Sequence, residues 1–456
     1  MLLDSIEKYG IYKDEKLKKA VYELEKKYKI VNEIDYFNQL VNFSKNKNIP
    51  YHGWFKYREG YSFTLISELI RRSQISKDEF VFDPFCGSGT TVVEAALKGY
   101  SGCGIDINPM SAFISEIKCR SYSDDEINHL LQLKDYFISN YPDKEASIDY
   151  LEKYGDVKKF FSQENYSNLL RIRELIDAIL SSKGKKIFEF FLCAYISIIE
   201  DVSDRKRDGN GLKTQTSKVD NVLDVYLEKI ALMLNDITKN RIEEGVNAKL
   251  EFGNAMELSK IVRKYEGISN KELGAIMYSP PYANSFDYFE SYKMEIILAD
   301  YASNMKGISS YRKQAVESFI GRNEKREKAR ELINWMAEEI ELAIPEKETL
   351  TGKRDSRTRK VPKMIRGYFT DMEKVISESS DVLKSGKKCY IVVDQSAYLG
   401  RLVPTDLFFA AIAEDYNFKV SEIIICRAAK TSGQQIQKYP YLRNCLRESI
   451  VVLEKI

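Results

Sequence analysis

The sequence predicts an α/β chain built on a seven-stranded, doubly wound sheet with mostly helical insertions. Three observations carry that prediction. A short apolar run, "FVFDPF" (80–85), passes through a glycine-rich turn into a helical pattern over 86–100. A second run that ends in an acid, "GCGIDIN" (102–108), follows directly, and β–loop–α–β alternation of this kind opens a parallel sheet. Further apolar runs then recur to the end of the chain with helical patterns between them.

In chain order, residues 1–48 are charged with apolar positions at helical spacing in "KLKKAVYELEKKYKI", which predicts packed helix. "FTLISELIRRS" (63–73) predicts a further amphipathic helix. After the strands at 80–85 and 102–108, strands are expected at 250–255, 274–279, 388–394, 419–427 and 448–455. Helical crossovers are expected at 368–386 and 404–418, and the last two strands lie close enough in sequence to be antiparallel. Two stretches break the alternation. Residues 121–248 are mostly helix-patterned but interrupted by "SDRKRDGNGLKTQTSK" (203–218). Residues 303–366 are highly charged and include "GKRDSRTRKVPK" (352–363), with six basic residues against one acidic. The expected organisation is therefore an N-terminal helical segment (1–75) packed on a core in three parts (76–120, 249–302 and 367–456), with 121–248 and 303–366 inserted.

Composition narrows the function classes. The chain has 456 residues, 44% hydrophobic and 30% charged, enough for a large core. With 70 basic and 68 acidic residues the net charge is +2, so any surface for a polyanion must be local. Seven cysteines without CxxC spacing argue against a disulfide framework or a zinc site. His52 and His129 alone make a histidine triad or metal centre improbable, so no metal is expected. The first residues are too charged for a signal peptide, and no apolar run approaches membrane-span length. A soluble, cytoplasmic protein with no membrane contact is the expectation.

Two motifs carry chemistry. In "DPFCGSGT" (83–90), Gly87 and Gly89 let the backbone turn tightly and approach a ligand at a helix N-terminus. Gly-x-Gly after a strand is shared with dinucleotide-binding dehydrogenases and with plain tight turns. Two details go further: Asp83-Pro84-Phe85 puts an acid where a dehydrogenase has glycine, and the next strand ends in Asp106, placed to bond ribose hydroxyls. In "SPPY" (279–282), the proline pair cannot continue a central strand, so a buried strand stops abruptly with Ser279 and Tyr282 at its mouth.

Together and in this order, "DPFCGSGTTVVEAALKGYSGCGIDINP" and "SPPY" resemble the class I S-adenosylmethionine-dependent methyltransferases that act on exocyclic amino groups of DNA bases. The match covers roughly 70–118, 249–300 and 368–456. The resemblance implies a Rossmann-like methyltransferase sheet and S-adenosyl-L-methionine as cofactor. Asp83, Pro84, Phe85, Cys86, Gly87, Ser88, Gly89 and Thr90 would surround its methionine end. Asp106 and Ile107 would meet the ribose, and Asn254 with Ala255 the adenine. "WFKYREGYSFTLISELI" (54–70) would close over the methionine moiety. The Ser form of the motif resembles the cytosine-N4 branch, whereas the adenine-N6 branch more often has Asn or Asp there. Ser279, Pro280, Pro281 and Tyr282 would then be catalytic: a hydroxyl and a carbonyl accept the two amino hydrogens, and the aromatic ring stacks on a flipped base. Asp287 either shapes this loop or caps a helix. The absence of any Pro-Cys dipeptide disfavours the ring-carbon cytosine methylases.

A duplex substrate requires local positive charge against its phosphates. Arg205, Lys206, Arg207 and Lys213 in the first insertion are candidates, as are Lys353, Arg354, Arg357, Arg359 and Lys360 in the second. Base-sequence readout is expected in 121–248, assisted by 303–366, with Gln434, Gln435 and Arg443 near the DNA face. The resemblance thus implies a site-specific methyltransferase of cytosine N4 in double-stranded DNA. It would serve a restriction–modification or host-defence system, with a cognate restriction endonuclease as partner. Adenine-N6 methylation, RNA guanine-N2 methylation and a catalytically inactive DNA-binding subunit are the alternatives. Intact Gly87, Gly89, Asp106, Ser279 and Tyr282 count against the last.

Overall fold

The computed structural model describes residues 2–58, 60–141, 145–180, 183–208, 211–264, 272–321, 329–429, 431 and 433–456. Among the described residues the strands are β1 (Ile30–Asn32), β2 (Glu79–Asp83), β3 (Ser101–Asp106), β4 (Arg205–Asp208), β5 (Gly211–Thr214), β6 (Ala248–Phe252), β7 (Glu272–Tyr278), β8 (Lys388–Asp394), β9 (Ser396–Tyr398), β10 (Arg401–Val403), β11 (Phe418–Ala428) and β12 (Arg447–Lys455). Eight of them form one sheet in the order β1-β11-β12-β8-β7-β2-β3-β6. β12 runs antiparallel to both neighbours, and the other pairs are parallel.

All seven expected strands are present. The eighth, β1, corrects the expectation that residues 1–48 are helical. The helix Glu15–Lys27 ends at Tyr28, whose backbone is extended, and the chain then pairs Ile30–Asn32 in parallel with Ile423–Ile425. An open edge of β11 offers unpaired backbone groups, and three residues of the N-terminal segment satisfy them. Two small hairpins lie outside the expected elements. β4 and β5 pair within the polar interruption of the first insertion, and β9 pairs with β10 beyond β8.

The sheet is buried on both faces, as parallel sheets are. One face carries Val81, Ala275, Met277, Tyr390 and Ile424 against Leu65, Ile66, Leu69 and Ile70 of the helix Phe63–Ser73, which forms where its apolar stripe predicts. The other carries Phe80, Phe82, Ile105, Ile276 and Ile391 against the helices Val361–Val382 and Thr405–Glu414. The alternation of Phe80, Val81 and Phe82 between faces is the period-two signature of a strand. Strand order reverses between β2 and β7: the chain winds outward through β3 and β6 on one side and through β8 on the other. In open α/β sheets the crevice outside the strand C-termini at such a reversal is where ligands sit.

Candidate active site

The reversal opens into a cavity of about 330 Å³ beyond the C-terminal ends of β2, β3 and β7. One wall is the turn after β2 and the end of β3: Asp83, Phe85, Cys86, Gly87, Ser88, Thr90, Asp106 and Ile107. The facing wall is Ser279, Pro280, Pro281 and Tyr282, where β7 stops. The fold thus brings the two motifs of the sequence to one place.

The turn is built for close approach. Gly87 and Gly89 have φ of +52° and +86°, a region open to glycine. A Cβ on Gly87 would lie 2.7 Å from the Tyr57 ring, and one on Gly89 would lie 2.9 Å from Ser115 Cβ. The loop is held from beneath by the helix Pro109–Lys118: Ser115 Oγ donates to the Gly87 carbonyl at 2.8 Å, and the buried Lys118 Nζ donates to the Ser88 carbonyl at 3.0 Å. Burial lowers the Lys118 ammonium to about 8.

Two buried carboxylates anchor this wall. Asp83 accepts from the Tyr61 hydroxyl (2.8 Å), the Thr91 hydroxyl (2.5 Å) and the Phe85 N–H (2.9 Å). Burial nonetheless pushes its pKa up to about 6, with the charge of Asp106 adding to the rise. Asp106 accepts from the N–H groups of Gly87 (2.9 Å) and Asn108 (2.8 Å), and burial pushes it to about 6 as well. Two carboxylates disfavoured by desolvation, beside a turn with no room for a Cβ, suit a ligand that brings positive charge and hydroxyl donors. S-adenosylmethionine has both.

At the opposite wall, Ser279 Oγ donates to the Tyr282 hydroxyl at 3.1 Å. Pro280 and Pro281 bring no N–H that a neighbouring strand would require. Asp287 acts as a helix cap: its side chain accepts from the N–H groups of Phe289 (3.1 Å) and Glu290 (3.2 Å) and pairs with Arg312 at 2.9 Å.

Several expected residues lie elsewhere. Asn254 is not in the cavity wall. Its Oδ1 accepts from Met256 N–H at 3.0 Å as the cap of a short 3-10 turn, and its Nδ2 donates to the Gln314 carbonyl at 3.1 Å. Ala255 is buried in the apolar layer beside that turn, and Pro84 and Gly89 are buried and do not line the cavity. Conversely, Tyr57, Gly60 and Tyr61 line the cavity, so the 54–70 segment does reach it. Phe286, Tyr288, Val316, Phe319 and Asp394 line it too, and no motif of the sequence points to them. The apolar patch "AVESF" inside an otherwise charged insertion was the available signal for two of them.

The basic residues divide. Arg207 does not face solvent: it is 4% exposed, its guanidinium pairs with Glu200 at 2.6 Å and with Glu295, and it donates to the Ser291 carbonyl at 3.1 Å. Lys206 is half-buried and donates to the Glu200 carbonyl at 2.6 Å, Arg205 is half-buried, and Lys213 is exposed. Lys353, Arg354, Arg357, Arg359 and Lys360 are all exposed, with Arg359 paired to Glu348. This second stretch precedes the helix Val361–Val382, whose Met364 accepts a hydrogen bond from Ser285, three residues past "SPPY". Arg443 is exposed and Gln435 half-buried, while the Gln434 side chain falls outside the described residues. Among the described residues no group of His, Cys, Asp and Glu side chains could hold a metal ion, and no helix is long and apolar enough to cross a membrane.

Residues 5–116 match the N6/N4 DNA methylase family. The chain is 29% identical to type II methyltransferase M.BsoBI of Geobacillus stearothermophilus, an alignment that covers 95% of this chain and 91% of that one. Type II methyltransferase M.AvaI of Nostoc sp. is 27% identical over 91% of this chain and 89% of its own length. Type II methyltransferase M.MjaII of Methanocaldococcus jannaschii is 30% identical over 36% of this chain and 31% of its own. The family joins the adenine-N6 and cytosine-N4 branches, so the target base stays open at this level.

Proposed function

We propose that this chain is a DNA methylase of the N6/N4 family and works as a type II, site-specific methyltransferase acting on the exocyclic N4 of cytosine in double-stranded DNA. The observation that carries the reading is the cavity in which Gly87, Ser88 and Asp106 face Ser279, Pro280 and Tyr282. S-adenosylmethionine, when bound, supplies the electrophilic methyl group. Asp83, Gly87, Ser88, Asp106 and Ile107 would hold it, with Tyr57 and Tyr61 closing over them. Asn254 and Ala255, just past β6, would meet its adenine.

The amino nitrogen of cytosine is a poor nucleophile because its lone pair is delocalised into the ring. Ser279 Oγ and the Pro280 carbonyl accept its two hydrogens and turn the remaining lone pair toward the glycine-loop wall. Tyr282 offers a ring for the flipped base. Rate acceleration here is positioning and preorganised electrostatics; Ser279 is far too weak a base to be more than an acceptor. The exposed basic stretch at 353–360 would grip the phosphates, with sequence readout in 121–248 assisted by 303–366. The names of the full-length relatives support a restriction–modification role with a cognate endonuclease.

Nucleoside analysis of DNA methylated by the purified protein tests the base. N4-methylcytosine is expected, and N6-methyladenine would overturn the base assignment alone. Ser279→Ala is expected to lower turnover at least a hundredfold while cofactor binding persists; an unchanged rate removes Ser279 from the site.

A further inference from the structure

The wall that carries "SPPY" is braced from the far end of the chain. The Tyr282 hydroxyl, which receives the Ser279 proton at 3.1 Å, donates its own to Glu448 Oε1 at 3.3 Å. Glu448 stands near the start of β12, only 4% exposed, and its other oxygen is ion-paired with Arg427 of β11. Across the ladder it lies opposite Asp394, the last residue of β8. Asp394 lines the cavity, and its Oδ1 is buried with no hydrogen-bond partner among the described residues. One guanidinium therefore serves two carboxyl groups, and it sits against Glu448.

This arrangement gives the hydrogen bonds a direction. An ionised Glu448 can only accept, so Tyr282 must donate to it, and the Tyr282 oxygen is left to receive the Ser279 proton. Ser279 then presents lone pairs, not its proton, to anything in the cavity. A protonated Glu448 removes that constraint: it can donate to Tyr282, which can donate to Ser279, and the Ser279 proton would then point at the substrate amino group.

Resting on the reading of Ser279 to Tyr282 as the base site, we propose that Glu448 is a positioning residue that orients Ser279 as an acceptor through Tyr282. The groups that face it are Arg427, Asp394, Tyr282 and the Cys426 thiol. Burial raises the Glu448 carboxyl above its ordinary range while Arg427 and Tyr282 pull it back. Burial and the adjacent Glu448 charge raise Asp394 well above its own. Turnover should therefore be lost on the acid side at a pH above the usual range for a glutamate.

The test is methyl transfer from labelled S-adenosylmethionine to unmethylated bacterial genomic DNA between pH 5 and 9. E448Q keeps the shape but can present an amide N–H to Tyr282. It is expected to lower kcat at least tenfold, to leave the cofactor KM within twofold, and to lose the acid limb; E448D recovers part of kcat and restores the limb. E448Q with the wild-type kcat and acid limb overturns the proposal. Should E448Q fail to bind cofactor, Tyr282→Phe decides, since it leaves the Arg427 pair intact. A fall in kcat of at least fivefold supports the relay, and an unchanged kcat overturns it. Wild-type protein that transfers no methyl group to DNA overturns the functional reading beneath the proposal, a result distinct from an active wild type with an indifferent E448Q.

Discussion

The stretches around Arg207 and Arg357 look alike as sequence and differ completely as structure. Each strings basic residues through a polar segment of an insertion. In the first, the chain folds into the β4–β5 hairpin, and Arg207 points inward to Glu200 and Glu295, both buried. In the second, Lys353, Arg354, Arg357, Arg359 and Lys360 are exposed. Local charge counting cannot separate the two, because the acids that draw Arg207 inside come from a neighbouring helix and from a segment beyond β7. A buried cation is a knot in the fold, and an exposed row of cations is a surface for a polyanion.

The sharpest test of that contrast is Arg207→Ala. It leaves the buried Glu295 without its cation and Glu200 with Arg58 alone, and is expected to cost about 3–5 kcal/mol. A drop in the urea midpoint at constant slope would report it. A loss below about 1 kcal/mol would dissolve the contrast. Replacing Lys353, Arg354, Arg357 and Lys360 together by alanine should leave the melting temperature in place. The plot of log affinity for DNA against log salt should become shallower by up to about 3.6, at roughly 0.9 for each phosphate no longer neutralised. An unchanged slope would move the DNA elsewhere.

A third test carries the comparison to the acids. Asp106 is raised to about 6 by burial, so the folded chain binds this proton more tightly than the unfolded chain does. Its contribution to stability is fullest below the ordinary carboxylate range and declines as pH rises through about 6. Asp106→Asn should therefore gain melting temperature relative to wild type at pH 7.5 compared with pH 4.5, while losing cofactor affinity at least tenfold. A pH-independent difference would show that the charge is not disfavoured. The smallest effect is expected from Lys213→Ala. Lys213 is exposed and 3.9 Å from Asp208, and its loss should stay within about 0.5 kcal/mol by the same urea midpoint.

What the sequence discloses follows from how local the cause is. The helix at 63–73 has its stripe and its Ser62 cap within itself, and each central strand is a run long enough to be seen. β1 is three residues amid charged helix, and its reason to exist is the open edge of β11. The glycine loop and "SPPY" are legible because Gly87 and the proline pair are conformational necessities. Asn254 is less legible because an Asn after a strand serves a backbone cap as readily as a ligand, and its Oδ1 does accept from Met256 N–H. Glu448 and Asp394 were hidden for the opposite reason: nothing nearby in the chain marks them, and only the pairing of β8 with β12 sets them side by side at the Tyr282 wall.

β1 has one more consequence, and it concerns time. Ile30 pairs with Ile423, Glu25 holds Arg447, and Tyr9 stacks on Tyr441 at 5.0 Å. A ribosome adding about 5–20 residues each second needs about 20–80 s to travel that far. Throughout that interval the N-terminal segment has no strand to join, and its apolar residues stay open to other company. The newborn chain is therefore most exposed to chaperones, or to aggregation, at its beginning, until its last strands emerge.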